Sequence, residues 1–304
     1  MKQIVIISGK GGTGKTIISA SFASLAQSKV MVDCDVDAAN LYLLLHPDIQ
    51  ESHKFSGGMK ARIEQNNCSR CGECVDACRF SAINEKRDGE FIIDPISCEG
   101  CGVCYHVCPV EAVKMEKSIS GEWFVSHTKY GQFVHARLGI GEENSGKLVT
   151  EVRKKARELA EKNNLDLVII DGPPGIGCPV ISSLAGTDLA LVVTEPTLAG
   201  IHDMERVVEM AHHFKVETAC CINKFDINLA NSARIEDWCQ KNSIPLVGKI
   251  PFDEEVTQSM VQLIPLIEYS NNSASKEVKK IWEKIQRLNK GFKMRVWKKN
   301  SPCL

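Results

Sequence analysis

The sequence predicts an α/β chain: a mostly parallel sheet covered by helices on both faces, interrupted by a separate cysteine-rich α+β module. Three observations lead there. Short β-branched runs alternate with longer helix-permissive stretches along the outer parts of the chain, which is the rhythm of a parallel sheet wrapped by helices. Most of those runs are apolar nearly throughout rather than alternating, as strands covered on both faces are. Eight of the 14 cysteines fall between positions 68 and 108, where the rhythm stops.

Strands are expected at 3–8, 29–33, 165–170, 189–194, 218–223 and 246–250, nearly all flanked by helical segments. Between about Gly58 and Ser118 the pattern changes to Cys, Gly and short irregular pieces, and the sheet rhythm resumes only near Gly146. Residues 1–57 and 119–304 are therefore assigned to the sheet domain and 58–118 to an insert. The Gly-rich stretch 121–141 receives no element.

Composition limits what the chain can do. At 304 residues, 43% hydrophobic and 25% charged, it has the balance of a globular chain rather than a disordered or fibrous one. Lys+Arg of 37 against Asp+Glu of 38 gives a formal charge of −1. No overall positive field draws the chain onto nucleic acid or an anionic membrane, and neither partner is expected. No apolar run approaches the about 18 residues of a bilayer span, and the opening MKQIVIISGKGG lacks a signal-peptide core. A cytoplasmic location follows as an expectation. In that reducing setting, clustered thiols point to metal ligation rather than disulfides.

The first expected strand runs into GKGGTGKT at 9–16, which satisfies G-x-x-x-x-G-K-[ST] between a strand and a helix. Glycines at 9, 11, 12 and 14 let the backbone curl so that successive amides, Thr13 among them, face a phosphate at the positive end of the helix. Lys15 would bridge the β- and γ-phosphates, and the Thr16 hydroxyl would ligate Mg²⁺. Asp171, at the end of an apolar strand, delivers a carboxylate to the magnesium side. The Gly172–Gly175 segment reads as a turn whose Gly175 amide can sense the γ-phosphate. Asp33 or Asp35, ending the second strand, should also point into the site. Asp35 is the better candidate for orienting the attacking water.

Lys10 makes the motif more specific. With it, the loop resembles the deviant Walker A signature KGGxGKT of the MinD/Mrp/nitrogenase-iron-protein P-loop ATPases. The resemblance extends to Asp35 in DCDVDAANL, to DGPPG at 171–175 and to Asn223 in CINKFD, and covers essentially all of the chain outside the insert. It implies a P-loop NTPase fold and ATP hydrolysis. It further implies an adenine-binding role for Asn223, and a homodimer in which Lys10 reaches the partner's nucleotide.

The insert carries an internal repeat. Cys68, Cys71, Cys74 and Cys78 recur thirty positions later as Cys98, Cys101, Cys104 and Cys108, and Ala82-Ile83 returns as Ala112-Val113. Each half is C-x2-C-x2-C-x3-C, the bacterial ferredoxin spacing. Zinc sites instead pair well-separated C-x2-C knuckles. By the ferredoxin pattern one [4Fe–4S] cluster takes Cys68, Cys71, Cys74 and Cys108, and the other takes Cys98, Cys101, Cys104 and Cys78. Asp88-Gly89 between the halves reads as a hairpin turn. The whole chain thus resembles MinD-superfamily ATPases with an inserted two-cluster ferredoxin domain, a group associated with metal-cluster or redox-enzyme maturation.

Two features stand apart. Cys178 follows Asp171 at the offset of a cluster-ligating cysteine in the nitrogenase iron protein, and can hold a labile metal or serve as a structural thiol. The basic tail 288–300, with Phe292, Val296 and Trp297, could lie on an anionic membrane but is read as packing on the body. The expected function is an ATPase coupling nucleotide state to electron transfer, or to cluster delivery, toward a client metalloprotein or redox partner. An ATP-controlled binding module with structural clusters and a plain electron carrier are the alternatives.

Overall fold

The structure, a computed structural model, describes residues 1–139, 142 and 145–291. The basic tail and Cys303 lie outside the described residues, apart from the end of the helix Ser273–Gly291.

The strands are β1 (Lys2–Ser8), β2 (Lys29–Asp33), β3 (Asp48–Phe55), β4 (Gly58–Ile63), β5 (Ile83–Glu85), β6 (Phe91–Ile93), β7 (Val113–Ser118), β8 (Gly121–Thr128), β9 (Gly131–Leu138), β10 (Leu167–Pro174), β11 (Leu189–Thr194), β12 (Glu217–Asn223) and β13 (Leu246–Ile250). Nine of them form one sheet in the order β13-β12-β11-β1-β10-β2-β9-β8-β3. Within it β8 alone runs against the rest, since it pairs antiparallel with both β9 and β3 while the other neighbours pair parallel.

Successive side chains of a strand point to opposite faces, and β1 is apolar on both. Val5 and Ile7 enter a core beneath the helices Ser145–Lys162, Cys178–Leu184 and Leu198–His213. Ile4 and Ile6 enter a second core beneath Lys15–Leu25 and Ser273–Gly291. This two-sided burial is why the central strands are continuous apolar runs.

The unassigned stretch 121–141 turns out to carry a strand pair of the main sheet. β8 and β9 form a hairpin that docks β9 in parallel on β2, so the sheet resumes at Gly121 rather than near Gly146. β10 also runs on through Pro174, so Gly172-Pro173-Pro174 is strand and the turn begins only at Gly175.

At the sheet edge the β3–β8 ladder ends at Phe55–Gly121. A separate ladder, β4–β7, starts at Gly58–Ser118 and ends at Ile63–Val113. The segment between is held by that ladder, the β5–β6 hairpin and a small third core of Ala61, Ile63, Cys74, Ile83, Phe91 and Val113. Gly72 and Gly102, with φ of 81° and 76°, start equivalent short helices in its two halves. Left-handed backbone of this kind costs glycine little.

Candidate functional site

Ligands of open α/β sheets bind outside the carboxyl ends of the strands, where the order reverses. β1 occupies such a position, between β10 and β11. Residues 9–14 leave its end as a loop and enter the helix at Lys15. Gly14 has φ of 92°, and a Cβ there would lie 2.4 Å from Asn223 Nδ2. At Gly9 a Cβ would lie 2.3 Å from Asp203 Cβ, so the helix Leu198–His213 clamps the start of the loop. Gly11 and Gly12 are exposed, and a Cβ on either would meet nothing within 4 Å. That open side is where an anion can approach.

Lys15 is buried, and its Nζ donates to Ser8 Oγ at 3.0 Å. Burial pulls its pKa down, against Asp171, Asp35 and Asp33, which raise it. Asp171 is fully buried, and its Oδ1 accepts from Ser19 Oγ at 2.8 Å while its Oδ2 has no partner. Burial pushes its carboxyl up to about 6, with Lys15, Ser19 and Thr16 pulling the other way. Asp33 stands opposite Asp171 in the β2–β10 register and accepts from the amides of Asp35 and Leu41. Burial, with Asp171 beside it, pushes Asp33 well above the ordinary carboxylate range. The half-buried Asp35 is pushed up by burial and pulled back by Lys15.

Three carboxylates thus share one lysine, and a buried carboxylate oxygen beside Thr16 is left unpaired. Burying a charge without a partner is costly. The donor set of Asp171 and the Thr16 hydroxyl fits a hard divalent cation bound by few protein oxygens. The Thr13 hydroxyl is likewise buried without a partner.

Asn223 ends β12 and donates from Nδ2 to Thr13 O at 2.9 Å, which ties the far side of the site to the loop. The Gly175 amide donates to Ser8 O at 2.9 Å, so this bond has to open before the amide can meet a phosphate. Lys10 is held by a different carboxylate. Its Nζ lies 3.1 Å from Glu195 Oε2 and 3.5 Å from Thr197 Oγ1, and Glu195 also takes Lys224 at 2.7 Å. Burial pushes the Glu195 carboxyl up, and Lys224 and Lys10 more than offset it, leaving it below its ordinary value. Ser8, Ser19, Glu195 and Lys224 were not singled out in the sequence. Their signal is positional for three of them: Ser8 ends a parallel strand, and Glu195 and Lys224 immediately follow two others.

The eight clustered cysteines line two cavities. One is bordered by Cys68, Cys71, Cys74 and Cys108, the other by Cys78, Cys98, Cys101 and Cys104. Each set combines three cysteines of one repeat with the last of the other. Ala82 N donates to Cys78 Sγ at 3.4 Å and Ala112 N to Cys108 Sγ at 3.2 Å, equivalent bonds in the two halves. Among the described residues, no group of three or more His, Cys, Asp or Glu could hold a single metal ion. The thiols border voids instead of converging on a point. Cys178 is exposed at the start of the helix Cys178–Leu184 and belongs to neither set.

Residues 4–266 match the family model described as the CobQ/CobB/MinD/ParA nucleotide binding domain. The chain belongs to this family. Nucleotide binding of the MinD/ParA ATPase class follows from that membership. An uncharacterized protein of Methanocaldococcus jannaschii is 38% identical over 291 residues, 93% of this chain and 96% of that one. An iron-sulfur cluster carrier protein of Pyrococcus horikoshii is 24% identical, over 93% of this chain and 85% of its own length. Among solved structures, the septum site-determining protein MinD of Pyrococcus horikoshii, complexed with Mg-ADP, superposes with a TM-score of 0.57 at 18% identity. That superposition covers 95% of this chain and 97% of the other, and it supports the α/β P-loop fold. Among the described residues no helix is long and apolar enough to cross a membrane.

Proposed function

We propose that this member of the family hydrolyses ATP and couples its nucleotide state to electron transfer, or to iron–sulfur delivery, toward a client metalloprotein. The observation that carries the reading is the sorting of eight thiols into two fours, each crossing between the repeats, in a chain with a complete phosphate loop. A zinc reading needs ligands converging on one point, and no such group occurs among the described residues.

In this reading the segment 58–118 is a ferredoxin-like module inserted in the P-loop domain. Cys68, Cys71, Cys74 and Cys108 hold one [4Fe–4S] cluster, and Cys98, Cys101, Cys104 and Cys78 hold the second. When bound, the clusters supply one-electron chemistry.

For hydrolysis, the amides of residues 9–16 bind the phosphate oxygens, and Lys15 exchanges its bond to Ser8 for one to the β/γ-phosphates. Thr16 and Asp171 hold Mg²⁺, which balances charge on those oxygens. Asp35 accepts a hydrogen bond from the attacking water and aims it at the γ-phosphorus. Asn223 orients the adenine, and the Gly175 amide, once released from Ser8 O, meets the γ-phosphate. Lys10 leaves Glu195 to neutralise the phosphates of a second subunit in a homodimer. The chain thus contributes positioning and electrostatic complementarity rather than covalent chemistry.

The test is anaerobic purification, with iron and sulfide counted per chain and ATP turnover measured beside Lys15→Ala. Iron and sulfide sufficient for two cubanes, together with turnover lost in the variant, are expected. Iron-free protein would remove the cluster half of the reading, and unchanged turnover in Lys15→Ala would remove the other half.

A further inference from the structure

The two cysteine cavities differ in their distance from the body of the molecule. The β4–β7 ladder leads outward from Gly58–Ser118 at the neck to Ile63–Val113. Ile63 and Val113 border the cavity of Cys68, Cys71, Cys74 and Cys108, the far site. Ala61, nearer the neck, borders the cavity of Cys78, Cys98, Cys101 and Cys104, the near site. The near-site loop also packs on the neck strand itself, since a Cβ on Gly100 would lie 1.9 Å from Met59 O. Arg70 and Gln65, at the far site, bond instead within the module, to Asp88 O and Phe91 O.

Lys60, on β4, is the side chain that joins the near site to the body. Its Nζ donates to Pro95 O at 2.6 Å and to Glu142 Oε1 at 2.9 Å. Both side chains of this ion pair are largely shielded, at 20% and 18% exposure. Pro95 lies in the turn that delivers Cys98, whose amide donates to Asp94 O at 3.1 Å. Glu142 lies between β9 and the helix Ser145–Lys162, whose first turn touches both the helix Cys178–Leu184 and the neck. A Cβ on Gly146 would lie 3.3 Å from Cys178 Cβ, and Lys147 Nζ donates to Gly57 O at 3.4 Å. The helix starting at Cys178 follows Gly175, whose amide is bonded to Ser8 at the foot of the phosphate loop.

We propose that the near site is the one that responds to nucleotide, and that the Lys60–Glu142 pair is the contact through which it responds. This rests on the reading that both sites hold [4Fe–4S] clusters. Reduction adds one electron, and hence one negative charge, to a cluster, and the nearby charge distribution sets its ease. The Lys60 ammonium favours that added charge, while Glu142, paired with it, cancels most of the effect. Opening of the pair makes the near site easier to reduce. The far site lies beyond this contact.

The test uses anaerobically iron-loaded, full-length protein poised with dithionite, which supplies the electron while no protein bond forms or breaks. Electron paramagnetic resonance reads the reduced fraction of each cluster with Mg-ADP and with Mg and a non-hydrolysable ATP analogue. Cys71→Ser and Cys101→Ser mark the far and near signals. Between the two nucleotides the reduced-to-oxidised ratio at the near site is expected to change about tenfold, which is about 59 mV for one electron. The far site should stay put. Glu142→Gln should make the near site easier to reduce, and Lys60→Met harder, each with no nucleotide response, while Lys60→Arg keeps the response. A response confined to the far site, no response in the iron-loaded wild type, or a full response surviving in both Glu142→Gln and Lys60→Met would overturn the inference alone. Protein that takes up no iron would overturn the cluster reading beneath it.

Discussion

Lys10 and Glu195 form an ion pair of 3.1 Å within one chain, and the same carboxylate holds Lys224. The loop lysine is therefore held by a carboxylate of its own chain, and the proposed homodimer requires that pair to open. Glu195→Gln is expected to strengthen ATP-dependent dimerisation about fivefold, the equivalent of the roughly 1 kcal/mol such a partly exposed pair contributes. Lys10→Ala should abolish that gain. Sedimentation with a non-hydrolysable analogue reads both, and weaker association in Glu195→Gln would mean that the carboxylate only props the loop.

Asn223→Ala removes the bond to Thr13 O and the amide packed on Gly14. A loss of about 1–2 kcal/mol in ATP affinity is expected, roughly 5- to 30-fold. Equilibrium titration measures it, and unaltered affinity would take Asn223 out of the site.

His135, on β9, stacks on Phe133 at 4.6 Å and bonds Ser126 at 3.0 Å. Burial lowers its pKa from 6.5 to about 4. Between those values the unfolded chain binds more protons than the folded one. The contribution of His135 to stability is therefore complete above pH 6.5 and is lost as the pH falls toward 4. The loss is at most about 3 kcal/mol. Urea midpoints taken over that range should fall less steeply in His135→Phe than in the parent; equal slopes would contradict the assignment.

On the proposed cluster reading, stripping the iron should loosen the segment 58–118 and spare the main sheet. Among the described residues the third core has only six buried members, of which one is Cys74 itself, and a unit this small is expected to need bound metal for its stability. Limited proteolysis after chelation is expected to cut within 58–118 while ATP binding persists. Resistance equal to that of iron-loaded protein would show that the module stands without its clusters.

Much of this architecture was legible in the residues, for physical reasons. β1, β2, β11, β12 and β13 lie between two helical layers, so their burial writes itself as mainly apolar runs, β13 being interrupted by Lys249. The phosphate loop and the cysteine repeat were legible because their chemistry constrains neighbours in sequence. β3, β8 and β9 were missed because they lie at one end of the sheet. β3 is exposed along most of DIQESHKF, and GEWFVSHT is only half covered. Pro173 and Pro174 suggested a turn, yet β10 carries both at its end. The pairing of Lys10 with Glu195, and of Lys60 with Glu142, joins residues remote in the chain, and no local pattern encodes it.

Nucleotide and clusters are proposed to share one energetic system, and coupling of that kind is reciprocal. The most direct measurement is the dissociation constant of a non-hydrolysable ATP analogue for iron-loaded protein, taken once fully oxidised and once fully reduced under anaerobic conditions. Two different constants are expected. A single value in both redox states would contradict the coupling.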